Sequence, residues 1–242
     1  MAGRLLERQV RLLEHLTSGD AIFGDIAISS RERARLGIDA GLLRLEARAS
    51  HEKRMEKIEW VLPRTLELLG AGKAAVIRDF VEACPPASIG RLENARQFHD
   101  FLATRWKVAA LEPRCLPDVA ACELAYASVY GGEKPAPETE SPAACDGIRR
   151  HPKVILVRCR HDVRPILEGG AAAAPAAERD TPLAVSLPAG AEHPVVSELS
   201  PDLFDLLEML DDFVDMNTFS DLADVRELVA DLGRRGLLEV RP

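Results

Sequence analysis

The stretch KVILVRC at Lys153–Cys159 decides the fold class of this chain, because the sequence pattern changes there from helix to strand. It is a short run rich in β-branched and apolar residues, which is typical of a strand. Two similar runs follow, PLAVSLP at Pro182–Pro188 and HPVVSEL at His193–Leu199. Three strands are therefore predicted in the C-terminal part of the chain.

Helices are predicted after the third strand. Ser200, Pro201 and Asp202 form a strong helix start, with an N-cap residue, a first-turn proline and an acid near the positive end of the helix dipole. The stretch DVRELVADLGRRGLLEV at Asp224–Val240 then places four apolar residues at helical spacing before two glycines and an extended tail: Val225, Leu228, Val229 and Leu232. Three strands, two or three helices and a short terminal strand predict a winged-helix-like domain over residues 151–242.

The N-terminal half shows only helical patterns. Apolar residues recur at helical spacing up to about residue 130, and the last helix of this half, in Leu116–Tyr130, begins with the favoured Pro117. The segment GGEKPAPETESPAACDG at Gly131–Gly147 has no periodicity and is rich in Gly and Pro. We therefore predict an α+β fold, with an N-terminal all-α helical bundle over 1–130, a linker over 131–150 and the small C-terminal domain.

No set of residues indicates catalysis or metal binding. The five cysteines form no C-x-x-C pair, and the six histidines form no H-x-x-x-H or H-E-x-x-H pattern. Cys159 and His161 could share one face of a strand, but a half-buried strand residue beside a loop histidine is the favoured interpretation. The chain also has no phosphate loop, no G-x-G-x-x-G after a strand and no G-x-S-x-G elbow. We expect a chain that is not an enzyme and that holds no metal or cofactor.

Charge is distributed unevenly along the 242 residues. Residues 1–110 carry a net charge of +3, and the remainder carries −11. From Val195 onward there are 12 acidic side chains and only 4 basic ones. An acidic winged-helix domain repels a duplex, so no nucleic-acid partner is expected. No apolar run approaches the roughly 20 residues of a membrane helix, and Glu7 and Arg8 interrupt any signal-peptide core. The expected location is cytoplasmic, without membrane contact.

The helical half resembles a bacterial protein family that was named for DNA binding. VIRDFVEACPPASIGRLENARQFHDFL at Val76–Leu102 has the family's helix ending in Pro-Pro, its small polar spacer and its F-x-x-F-L helix. LPDVAACELAYASVY at Leu116–Tyr130 corresponds to the next block, and LLERQVRLLEHL and EWVLPRTLELLG fit the first helices. The resemblance covers residues 4–130. It departs from the family at Leu124, where a tryptophan or aspartate often follows the glutamate.

The resemblance implies a role as a partner subunit. The family is similar to the partner proteins of multinuclear non-heme iron-dependent oxidative enzymes, including those of methanobactin biosynthesis, which modify cysteines of ribosomally made precursor peptides. The iron ligands of such systems lie on the TIM-barrel oxidase, so no metal residue carries over to this chain. The C-terminal half resembles the winged-helix recognition elements that bind precursor leaders. There the leader adds as a strand beside the third strand and packs against the third helix.

These expectations define a candidate site and competing functions. His193–Glu198 is the predicted edge, with Val195 and Ser197 on one face and Val196 on the other, and an exposed edge offers unpaired backbone groups. The opposing wall is predicted to be Val225, Leu228, Val229 and Leu232. The alternative is that these four residues are simply helix core, and it is the favoured interpretation for Leu228 and Leu232. A leader-binding partner protein is the first hypothesis. A winged-helix transcription regulator is the alternative, and a stand-alone enzyme is the least favoured.

Overall fold

The chain forms two compact units, Met1–Arg114 and Cys115–Pro242. The computed structural model describes residues 2–24, 40–109, 111–131, 147–170, 172, 176–219 and 225–241. The N-terminal unit is helical and the strands lie in the C-terminal unit, so the predicted α+β class is confirmed. The division precedes the helix Leu116–Tyr130, whereas the sequence pattern placed the domain boundary after it.

Six helices of the N-terminal unit lie within the described residues. They are α1 (Ala2–Leu16), α2 (Gly19–Phe23), α3 (Ala40–Val61), α4 (Pro63–Leu68), α5 (Lys73–Ala83) and α6 (Arg91–Val108). Pro63 occupies the first position of α4, and Leu62 before it has a non-helical φ of −123°. The helix is interrupted and restarts at this proline, because proline removes a helical donor and restricts the preceding residue.

The Pro-Pro turn between α5 and α6 is held by polar side chains, of which Arg54 and Asn94 are buried. The guanidinium of Arg54, on α3, donates to the side-chain oxygens of Asn94 at 3.1 Å and Gln97 at 2.7 Å, and it lies 4.4 Å from the centre of the Phe80 ring. Gln97 in turn donates to the carbonyl oxygen of Pro85 at 2.9 Å. Burial lowers the pKa of Arg54 to about 10. The turn is thus fixed to the core by hydrogen bonds, which satisfy the buried polar groups.

The C-terminal unit combines four helices with two antiparallel sheets in the part of the chain that is described. Its elements are α7 (Leu116–Tyr130), β1 (Gly147–Arg150), β2 (Ile155–Asp162), α8 (Arg164–Gly169), β3 (Ala177–Ser186), β4 (Val195–Glu198), α9 (Pro201–Met209), β5 (Val214–Asp215), α10 (Val225–Arg234) and β6 (Leu238–Arg241). One sheet has the order β2-β3-β4 and the other β5-β1-β6. Ser200 caps α9 by accepting from the backbone N–H of Leu203 at 3.3 Å, as predicted.

The β2-β3-β4 sheet is covered on both faces. Val185 of β3 packs with Ala125 and Val129 of α7 on one face. Its neighbour Ala184 lies in a second core cluster that includes residues of α9, α10, β1 and β6 on the other face. Successive side chains of a strand point to opposite faces. Residues 182–185 of β3 are therefore all apolar, because both faces of this part of the strand are buried.

The second sheet was not predicted. The segment predicted as a linker, residues 131–150, includes β1, and its residues 132–146 lie outside the described residues. The terminal strand β6 pairs with β1 through Ile148 and Val240, not with the three-stranded sheet. The predicted order of three strands, helices and a terminal strand is present. However, β6 does not extend the sheet of β2, β3 and β4 as a wing would.

Candidate peptide-binding edge

The strand β4 lies at the edge of its sheet. It pairs with β3 alone, in the register Ser186 with Val195, Val185 with Val196 and Ala184 with Ser197, and no other described strand pairs with its far side. The strand begins at Val195, so the predicted start at His193 is two residues early. His193 instead stacks on the ring of Tyr130 of α7, with 5.6 Å between ring centres.

The hydrogen bonds of β4 show which backbone groups are directed toward open space. The N–H of Leu199, directly after the strand, donates to the carbonyl oxygen of Pro182 on β3 at 2.9 Å. Backbone groups alternate in direction along an antiparallel strand, so Ser197 and Val195 are also directed toward β3. The N–H and C=O groups of Val196 and Glu198 therefore point away from the sheet. These are the groups that an added strand would pair with.

The side chains of β4 divide between the two faces. Val195 and Ser197 lie opposite Ser186 and Ala184, on the face covered by α9 and α10. Val196 packs with the cluster of α7 on the other face. Val195 is the most open of the three, with 45% of its surface exposed.

Only part of the predicted helical wall is accessible. Val229 and Leu232 are 4% and 3% exposed and belong to the core cluster, so their inclusion in a binding surface is wrong. They point inward because the apolar stripe of an amphipathic helix packs against the core. Val225 is half-buried against that cluster, and Leu228 is 43% exposed. Leu228 is the member of the predicted wall that is open to a ligand.

The C-terminal end of α10 lies against the end of β3, next to the strand β4. The hydroxyl of Ser186 donates to the carbonyl oxygen of Arg235 at 3.0 Å, and Ser186 is the register partner of Val195. A side chain at Gly236 would come within 2.8 Å of the carbonyl oxygen of Leu187. These contacts fix the C-terminal end of α10 to the end of β3.

A network of four charged side chains holds the other end of β4. Glu198 accepts from Arg179 and Arg164, each at 2.6 Å, and Asp162 accepts from the same two arginines at 2.8 and 2.7 Å. Hydrogen bonds from Arg164 hold the pKa of the Asp162 carboxyl well below its usual range, and those from Arg179 lower the pKa of Glu198. The network joins β2, α8, β3 and β4, and it was not predicted from the sequence. A local signal for it is the pair of opposite charges Asp162 and Arg164, two positions apart at the end of β2.

Cys159 and His161 both lie within β2 and are buried, so His161 is a strand residue and not the predicted loop residue. Within the described ranges, no group of three or more His, Cys, Asp and Glu side chains could hold a metal ion. In the same ranges, no helix combines the length and apolar character needed to cross a membrane.

The chain matches no protein-family model and no curated protein. The resemblance of its helical half therefore stays a prediction.

Proposed function

We propose that this chain is a non-catalytic partner protein that binds the leader of a ribosomally made precursor peptide. It would deliver that peptide to a TIM-barrel, iron-dependent oxidase that modifies cysteine residues. The observation that carries the proposal is the open edge of β4, near the point where the C-terminal end of α10 contacts the end of β3. There the outward backbone groups of Val196 and Glu198 lie close to the exposed side chain of Val195.

An extended peptide suits this edge. Its main chain would pair with the N–H and C=O groups of Val196 and Glu198, which gives affinity with little dependence on sequence. Selectivity would come from apolar leader side chains that contact Val195, Leu228 and the half-buried Val225. Because β4 has only four residues, the pairing offers few hydrogen bonds, each worth about 0.5–1.5 kcal/mol net.

The charges of α10 favour a peptide over DNA as the ligand. Arg234 and Arg235 are both ion-paired with Asp231, at 3.3 and 2.8 Å. Arginines that are already paired within the protein are less available to phosphates, and the acidic charge of this region repels a duplex. The transcription-regulator alternative therefore has less support than the peptide-binding proposal.

The first test uses the peptide itself. A short cysteine-containing precursor and a TIM-barrel oxidase encoded beside the gene of this chain are the expected partners. We expect the synthetic precursor to bind the full chain in calorimetry. We also expect mass spectrometry to detect modified cysteines only when the oxidase, the peptide and this chain are co-expressed. Modification at the same level without this chain would contradict the proposal.

Substitution of Val196 tests strand addition at this edge. Val196→Pro removes an outward N–H while the pairing with β3 stays intact, so leader affinity should fall several-fold to tenfold, as expected for one lost hydrogen bond. Val196→Thr is the matched control, because it keeps the N–H and a β-branched side chain and should bind like the parent. Val195→Pro removes a donor directed toward β3 and should instead lower the free energy of unfolding. Calorimetry measures affinity and circular dichroism checks the fold. If Val196→Pro folds and binds the leader unchanged, strand addition at β4 is wrong.

A further inference from the structure

Two buried thiols face each other across the interface between α7 and the sheet. The Sγ atoms of Cys122 on α7 and Cys159 on β2 are 3.5 Å apart, and the two residues are 0% and 1% exposed. A disulfide requires an Sγ–Sγ distance of about 2.0 Å. Bond formation therefore requires the two sulfur atoms to move closer together.

The interface that holds these thiols has its own polar contacts. Asp118, one helical turn before Cys122, accepts from Nδ1 of His161 at 2.8 Å and from the backbone N–H of Arg160 at 3.1 Å. Arg160 and His161 directly follow Cys159 on β2. Because these hydrogen bonds join α7 to β2 without either sulfur, the thiols stay opposed whether or not they are bonded.

We propose that Cys122 and Cys159 are an oxidisable dithiol, which a hydroperoxide converts to a disulfide that joins α7 to β2. One thiol loses its proton and attacks a peroxide oxygen, the O–O bond breaks, and a sulfenic acid and one water form when the oxidant is hydrogen peroxide. The second thiol then attacks the sulfenic sulfur, so that the S–S bond forms and a second water leaves. The two thiols lose two electrons and two protons in total, and the peroxide is reduced to two waters.

The disulfide-bonded form should be more stable to heat than the dithiol form. Its formation should be slow. The bond would close a loop between positions 37 residues apart, which restricts the unfolded chain and raises the Tm on the order of 5–10 °C. The hydrogen bond to Cys122 and burial both raise the pKa of the Cys159 thiol. The thiolate is the reactive form, so oxidation should be slow compared with that of an exposed thiol. This inference is independent of peptide binding.

The experiment treats the full chain with excess hydrogen peroxide, blocks remaining thiols with an alkylating reagent and maps the peptides by mass spectrometry. We expect a Cys122–Cys159 linked peptide that has lost two hydrogen atoms, and a raised Tm that a reductant restores to its original value. Cys122→Ala and Cys159→Ala should each abolish both effects. The double variant Cys84→Ala with Cys145→Ala should retain both, and Cys145 lies outside the described residues.

The mapping of the parent chain decides the result without depending on how any variant folds. Free thiols at both positions after the half-exposed Cys84 is fully oxidised would overturn the proposal. Overoxidation without a link, or a link to a different cysteine, would overturn it as well.

Discussion

Gly236 is the residue whose conformation most directly joins α10 to β6. Its φ is +68°, and an added Cβ would lie 2.8 Å from the carbonyl oxygen of Leu187. Side chains other than that of glycine are strained at this φ, and the backbone of Leu187 cannot move without disturbing the end of β3. We expect Gly236→Ala to lower the free energy of unfolding by about 1–3 kcal/mol, as measured by urea denaturation.

Gly233, three positions before Gly236, provides the matched control. It lies inside α10, and nothing lies within 4 Å of the position that its Cβ would occupy. Alanine is a better helix former, so Gly233→Ala should stabilise the protein by about 0.5–1 kcal/mol. Equal effects of the two substitutions would show that the φ and the contact at Gly236 do not matter for stability.

Val196 illustrates what residue patterns leave open. The alternation in HPVVSEL predicts that Val195 and Ser197 share a face of the sheet. The register with β3 confirms this, because their partners Ser186 and Ala184 are also two positions apart. The same alternation does not say which backbone groups pair inward, because either choice gives the same side-chain pattern. The hydrogen bond from the N–H of Leu199 to the carbonyl oxygen of Pro182 decides which backbone groups of β4 pair with β3.

The charged network around β4 should make stability depend on pH. The pKa of Asp162 is lowered in the folded protein, so its contribution is complete above the ordinary aspartate pKa of about 4 and is lost as the pH falls below it. We expect Asp162→Asn to lower the free energy of unfolding at neutral pH by about 1–2 kcal/mol, since it removes charge-assisted hydrogen bonds. The difference between parent and variant in urea denaturation should shrink toward about pH 3.

Asp180 is the control for this prediction. It accepts a two-point hydrogen bond from Arg158, at 3.1 and 2.8 Å, but the pair is exposed. Exposed ion pairs contribute little, so Asp180→Asn should have a smaller effect with a weaker pH dependence. A loss at Asp162 that stays constant from neutral to acid pH would contradict the electrostatic explanation.

The helix α7 belongs to the C-terminal unit because it covers one face of the sheet. Its Ala125 and Val129 pack on Val185, which is 0% exposed. We expect a fragment spanning 115–242 to unfold cooperatively in a circular-dichroism melt. A fragment spanning 131–242 should be poorly folded, because each large apolar side chain left uncovered costs about 1.5–3 kcal/mol. The same melting midpoint for both fragments would contradict the boundary at residues 114 and 115.

The acidic C-terminal region leads to a prediction for the full chain. Binding to duplex DNA at physiological salt should be no tighter than the non-specific range of roughly 10⁻⁴–10⁻⁶ M, as measured by fluorescence anisotropy. Asp231→Asn is a useful comparison, because it frees Arg234 and Arg235 and should strengthen non-specific binding. Nanomolar, sequence-selective binding of the parent chain to duplex DNA would instead favour the transcription-regulator alternative.

Local patterns in the sequence determined the class of the fold and the places of most of its elements. Helical spacing, the restart at Pro63, the cap at Ser200 and the three β-branched runs each depend on residues a few positions apart. Those features set backbone preference before any long-range contact forms. For this reason the strand near Val195 and the helix near Val225 were placed within two residues.

The tertiary structure alone decided how these elements are combined. The pattern of α7 is that of any apolar helix, so only packing shows that it covers β2 and β3 and brings Cys122 to Cys159. β1 and β6 pair although about 90 residues separate them, and nothing local in either strand specifies the other. Val229 and Leu232 were predicted to be a wall and are core, because helical spacing identifies an apolar face but not what covers it.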